Sequence, residues 1–174
     1  MRFIVAPAAM VALIAGCQTV HEGPGRTLGH ATLHLANNGP AGSARLLQNA
    51  DEVSLSITLT ELEEGVHGLH LHAIASCELP DFTSAGAHLN PTDRQHVFEN
   101  PQGAHLRDLP NAMIGASGSG TVSALLHGTP EEVISRIFDA DGTAIVVHAH
   151  ADDYWTDPSG NSGERIACGV LVRG

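Results

Sequence analysis

The sequence predicts an all-β domain of eight short strands, closed into a barrel or stacked as a sandwich. Three observations lead there. Apolar and polar residues alternate strictly over VSLSITLT, residues 53–60, so Val53, Leu55, Ile57 and Leu59 share one face and Ser54, Ser56, Thr58 and Thr60 the other. Similar short runs recur along the chain, with no long amphipathic helix between them. Composition agrees: of 174 residues, 19 are glycine and only 3% are aromatic, a mix suited to tight turns and short strands.

At the N-terminus, Arg2 precedes FIVAPAAMVALIAG, an apolar run too short for a stable membrane span and shaped like a secretory signal. It ends in IAGC, Ile14 to Cys17, which resembles the bacterial lipobox. The resemblance implies a signal peptide over 1–16 and a lipid-modified Cys17; an ordinary cleaved signal, with Cys17 incidental, stays open. Residues 17–27 then read as the lipidated cysteine and a flexible tether, and residues 28–174 as the folded domain. Stable attachment generally takes more than one acyl chain, as a multiply acylated cysteine supplies.

The strand candidates follow in order: HATLHL (30–35), GSARLL (42–47), VSLSITLT (53–60), HGLHLH (67–72), NAMIGA (111–116), TVSALL (121–126), TAIVVH (143–148) and ACGVLV (167–172). SGSG between the fifth and sixth is a hairpin signal. TPEEVISRI (129–137) reads as one or two helical turns or as a loop. Two segments break the rhythm: 73–110, with four prolines, and AHADDYWTDPSGNSGE (149–164). Connections of that length usually carry function.

The formal charge is −11 and all eight basic residues are arginine, which argues against nucleic acid or an anionic lipid surface as a partner. With Cys17 given to the lipobox, Cys77 and Cys168 remain as a pair in an exported, oxidising setting. A disulfide between them would close a loop of about 90 residues, a constraint of roughly 4–5 kcal/mol in the chain-entropy model. Two free buried thiols are the alternative.

Histidine is the anomaly, at 12 residues. In HGLHLH, His70 and His72 share one face of a strand and Leu69 and Leu71 the other, so two imidazoles about 7 Å apart could grip one metal. A polar outer face that happens to be histidine-rich is the plain alternative. His67 falls on the Leu69 and Leu71 side and reads as structural. The first long loop holds His88, His96, His105 and Asp108, a four-ligand set that suits tetrahedral zinc, although its spacing follows no general rule. IVVHAHADD adds His148 and His150 on one predicted strand face.

VHGLHLH, TSAGAHLNP, GAHLRD, VVHAHADD and GERIACGV, taken in that order, resemble the successive motifs of copper,zinc superoxide dismutases. The resemblance implies an eight-stranded Greek-key barrel with two long functional loops, and copper and zinc as cofactors, one of each per subunit. It implies copper ligands at His70, His72, His88 and His148, and zinc ligands at His88, His96, His105 and Asp108, with His88 shared. It implies a carboxylate at Asp152 that links the His70 and His96 ligands, and a substrate-guiding arginine at Arg165. The partners implied are superoxide and a membrane reached only through the lipid anchor, with a homodimer left open. The implied address is the periplasmic face of a bacterial membrane, the outer one preferred. A non-enzymatic copper-binding or chaperone lipoprotein on the same barrel is the alternative function. The loop between His148 and Arg165 is short and lysine-free, which leaves anion steering to arginine; His150 is a further candidate at the rim.

Overall fold

Alternation over 53–60 folds as an antiparallel strand with Val53, Leu55, Ile57 and Leu59 fully buried. The computed structural model describes residues 25–90, 109–156 and 159–174. In chain order the elements are β1 (Arg26–Leu35), β2 (Pro40–Asn49), β3 (Glu52–Leu59), β4 (Gly65–His67), β5 (Leu69–His72), β6 (Ala112–Ile114), β7 (Gly120–Leu126), α1 (Pro130–Ile137), β8 (Ala144–His148), β9 (Arg165–Val170) and β10 (Val172–Arg173). All eight predicted strands are present. Two of them are broken, the fourth at Gly68 into β4 and β5 and the eighth at Leu171 into β9 and β10.

The main sheet runs β5-β8-β9-β1-β2-β3-β7, with β10 paired to β1, and every pairing is antiparallel. β4 and β6 form a separate two-stranded ladder. That small ladder joins the two edges of the large one, because β4 runs into β5 and β6 turns through Gly115 to Ser119 into β7. The SGSG signal therefore makes a turn whose two arms pair with different neighbours. β1, β2 and β3 are consecutive, whereas β7, β8 and β9 return across the barrel to β3, β5 and β1, a Greek-key connection.

Gly68 is required where it stands. Its N–H donates to His150 O (2.8 Å) and its carbonyl accepts from His148 N (2.9 Å). A Cβ there would lie 2.9 Å from the Ser162 side chain and 3.2 Å from His150 O, so only glycine allows the second long loop this close.

TPEEVISRI resolves as a helix. Thr129 Oγ1 accepts from Glu132 N, and Thr129 N donates to Glu132 Oε2, a reciprocal cap ahead of Pro130. Val133 and Ile137 on its inner face are fully buried.

The barrel core contains Leu33, Leu46, Leu55, Ile57, Leu69, Leu71, Ile145 and Val147. A second, smaller cluster sits outside it: Phe82, Ala85, Ala144, Val146 and Cys168, with Cys77 packed against them. Residues 73–90 supply its cover, and a Cys77–Cys168 disulfide fastens that cover to β9 across 91 residues of sequence. β8 is thus buried on both faces, which is why it reads AIVVH without polar alternation.

Candidate metal centre

Register decides which side chains meet. His70 pairs with Val146 and His72 with Ala144, so both imidazoles stand on the outer face beside small apolar residues. Leu69 and Leu71 point into the barrel instead. His148 ends β8 at a register shift opposite Arg165. The first long loop returns along β5, with Leu89 N donating to Leu71 O (2.8 Å) and a single bridge between His72 and His88. Four histidines from three segments converge in this way. One ligand nitrogen from each of His70, His72, His88 and His148 can be chosen so that all four lie within 4.8 Å of one another. The His70 and His88 ring centroids are 4.0 Å apart, and those of His72 and His88 4.7 Å.

Hydrogen bonds outside the cluster fix which nitrogen faces inward. His72 Nδ1 donates to Gly86 O (3.0 Å) and His148 Nδ1 to Gly163 O (3.1 Å). Each ring then presents Nε2, and both Nε2 atoms are buried with no hydrogen-bond partner among the described residues. His70 is turned the other way: its Nε2 donates to Asp152 Oδ2 at 2.7 Å, which leaves Nδ1 as the ligating atom. Burial pushes the His72 pKa down to about 3, with Gly86 O opposing the shift and the Arg165 charge adding to it. Burial likewise lowers His148 to about 4. Both rings are neutral at pH 7, the form that binds a metal.

The four-histidine donor set fits the copper that the sequence assigns to it. A buried polar nitrogen without a partner costs about 1–3 kcal/mol, and two such atoms in one cluster call for an acceptor of lone pairs. Neutral imidazoles suit copper and zinc, and carbonyl or carboxylate contacts on the far nitrogens are the usual way such ligands are oriented.

Asp152, 3% exposed, is itself held. Tyr154 N donates to its Oδ1 (2.7 Å), Asp152 N donates to Asn111 Oδ1 (2.8 Å), and Asn111 Nδ2 donates to Asp152 O (2.9 Å). Tyr154 Oη in turn accepts from Asn111 N (2.8 Å). Gly160 has φ +58, and a side chain there would collide with the Asp152 carboxylate. Asp152→Asn is expected to weaken copper binding about 10–100-fold. An amide cannot accept from both His70 Nε2 and Tyr154 N, and turning its NH₂ towards His70 forces the ring into the tautomer that protonates Nδ1. Copper titration of the metal-free variant measures this; unchanged affinity would leave Asp152 without a role in the site.

Arg165 lies half-buried beside the cluster. Its Nη1 donates to Phe82 O and its Nη2 to Gly86 O, both at 2.7 Å, so Gly86 O serves Arg165 and His72 together. His67 stays out of the cluster: its Nδ1 is 2.8 Å from His148 O and its Nε2 3.1 Å from Glu63 O, tying two segments together. His150 is exposed, and its ring lies against Gly163, which lines the same cavity as Arg165. His96, His105, Asp108 and Cys17 lie outside the described residues. Asn111, Tyr154 and the carbonyls of Phe82, Gly86 and Gly163 were not legible beforehand; a backbone carbonyl has no residue-type signature.

The family model for copper/zinc superoxide dismutase (SODC) matches residues 40–171. The chain belongs to that family. Among similar members, a superoxide dismutase-like protein, YojM, of Bacillus subtilis is 39% identical over 152 residues, covering 83% of this chain and 76% of that one. The copper–zinc superoxide dismutase 1 of Aquifex aeolicus is 34% identical over 148 residues, covering 82% and 86%. A crystal structure of a superoxide dismutase-like protein from Bacillus subtilis superposes with a TM-score of 0.73 at 35% identity, over 84% of this chain and all of that one. Membership in the copper/zinc superoxide dismutase family agrees with the barrel, the disulfide and the histidine cluster.

Proposed function

We propose that this protein is an exported superoxide dismutase. The observation that carries the reading is the convergence of four imidazole donors with an arginine positioned beside them, in a chain of this family. On this reading His70, His72, His88 and His148 hold copper, and His88, His96, His105 and Asp108 hold zinc, with His88 common to both. When bound, copper supplies one-electron chemistry: one superoxide is oxidised to oxygen, and a second, with two protons, is reduced to hydrogen peroxide. The polypeptide does the rest. Gly86 O, Gly163 O and Asp152 hold three rings in the ligating tautomer. Arg165, its guanidinium charged at any working pH, draws and orients the diatomic anion. His88 and solvent supply the protons. A copper-binding or chaperone lipoprotein on the same barrel would have no use for Arg165, whose retention favours the enzyme.

Metal content per chain, measured together with superoxide dismutation by the purified protein, tests the reading. Copper and zinc near one each with rapid turnover is the expected result; copper without turnover would favour the binding protein. Asp108→Ala is expected to empty the zinc site and leave copper bound. Zinc retained at parental stoichiometry in that variant would refute the ligand assignment.

The lipobox motivates a proposal about address. Residues 1–16 act as a signal peptide, Cys17 carries the lipid, and a tether leads into β1, so that the barrel stands at the periplasmic face of a bacterial membrane, the outer one preferred. The disulfide fits an exported protein. Cys17→Ser is expected to block lipidation while the barrel still folds. Mass spectrometry of the mature N-terminus decides it, and an unmodified chain starting elsewhere would refute the lipobox. A homodimer is proposed on the exposed apolar pair Val66 and Met113, which face each other across β4 and β6; sedimentation equilibrium reads it directly.

A further inference from the structure

Arg165 is gripped by a short turn, and the same turn carries a negative charge. Phe82 and Gly86 supply the carbonyls that hold the guanidinium, and the residue before Phe82 is the exposed Asp81. Thr83 donates to Asp81 Oδ1 from both its N (3.1 Å) and its Oγ1 (2.9 Å), which fixes the rotamer of the carboxylate. Asp81, Thr83, Glu164 and Arg165 line one open cavity of about 710 Å³, with Leu35 and Ile166 as its apolar wall. No hydrogen bond among the described residues fixes the Glu164 carboxylate in the same way.

The two charges act on each other through space. Hydrogen bonds from Thr83 hold the Asp81 carboxyl below its usual range, and the Arg165 charge contributes in the same direction. Burial lowers the Arg165 pKa, and Asp81 opposes that shift. Among the described residues no ion pair joins them, so the guanidinium keeps its hydrogen bonds to the two carbonyls and the carboxylate stays at the rim.

We infer that Asp81 is a specificity-determining residue at the anion entrance, a fixed negative charge that slows small anions and holds polyanions away from Arg165. Its consequence for turnover rests on the dismutase reading; its effect on anion binding does not. Repulsion scales with ligand charge, so a dianion feels Asp81 twice as strongly as superoxide does. A monoanion therefore loses less at Asp81 than a dianion does before it meets the guanidinium.

Two variants that remove the same charge separate a local from a global effect. Asp81→Asn keeps an Oδ1 acceptor for Thr83, and Asp51→Asn lies on the exposed turn between β2 and β3. Inorganic phosphate is titrated into each metal-free protein, and dismutation is followed in each metal-loaded protein across ionic strength. A unit charge about 8 Å away in water changes encounter by roughly twofold. Asp81→Asn is therefore expected to dismutate about twofold faster at low salt and to bind phosphate about fourfold tighter. Both gains should vanish near 1 M salt, where the Debye length is about 3 Å. Asp51→Asn should match the parent in both assays. Equal gains in the two variants, or none in Asp81→Asn, would overturn the inference. Tighter phosphate binding by Asp81→Asn alone, with no dismutation in any of the proteins, would keep Asp81 as an anion filter and remove the dismutase reading instead.

Discussion

A His72→Ala protein is expected to fold, to retain zinc, and to lose superoxide dismutation by at least about 100-fold, with copper well below one per chain. The lower bound follows from the cost of losing a group that merely orients a ligand, about 10–100-fold in affinity or activity; losing the ligand itself must cost more. The fold should survive because His72 stands on the outer face of β5, while Leu69 and Leu71 fill the barrel. Gly86 O loses one donor but keeps Arg165 Nη2, so no buried acceptor is stranded. The neighbouring residue gives the contrast. Leu71→Ala should cost about 2–5 kcal/mol of stability by opening a core cavity and leave the four imidazoles in place. Thermal unfolding, metal analysis and the dismutation rate distinguish the two variants. Full activity in His72→Ala would remove the copper assignment.

Which face each β5 residue takes was legible because alternation is a local property of a strand. That both faces are buried was not. The cover over His70 and His72 comes from 73–90 and from Asp152 beyond β8, and nothing in LHLH reports it. A buried histidine and a solvated one look alike until the loop above them is placed. TPEEVISRI shows the same gap on a smaller scale: its cap was written in Thr129 and Glu132, yet the choice of helix over loop depended on Val133 and Ile137 finding the barrel. The hold on Asp152 was invisible for another reason. Asn111 lies 41 residues away, and an asparagine clasping a backbone carries no spacing rule.

The disulfide should matter to the site as much as to stability. Cys168 lies three residues beyond Arg165 on β9, and Cys77 opens the segment whose Phe82 and Gly86 carbonyls hold that arginine and His72. Removing the bond with Cys77→Ala and Cys168→Ala avoids burying a new hydroxyl at Cys168, which is 1% exposed. The chain-entropy model gives a loss of about 4–5 kcal/mol for a loop of this length, and in a domain of this size each kcal/mol moves the Tm by about 2–4 °C. A fall of roughly 10–20 °C is expected. Below that lowered Tm, where the barrel is still folded, the second-order rate should also drop several-fold, because the cover can lift and take both carbonyls away from Arg165. The competing hold is Phe82, 1% exposed and packed on Ala144 and Val146. If the double variant melts within about 3 °C of the parent and turns over at the parental rate, Phe82 anchors the cover by itself. A lowered Tm with an unchanged rate would show the carbonyl grip on Arg165 to be independent of the bond. Only a loss of both makes the disulfide part of the machinery that positions the arginine.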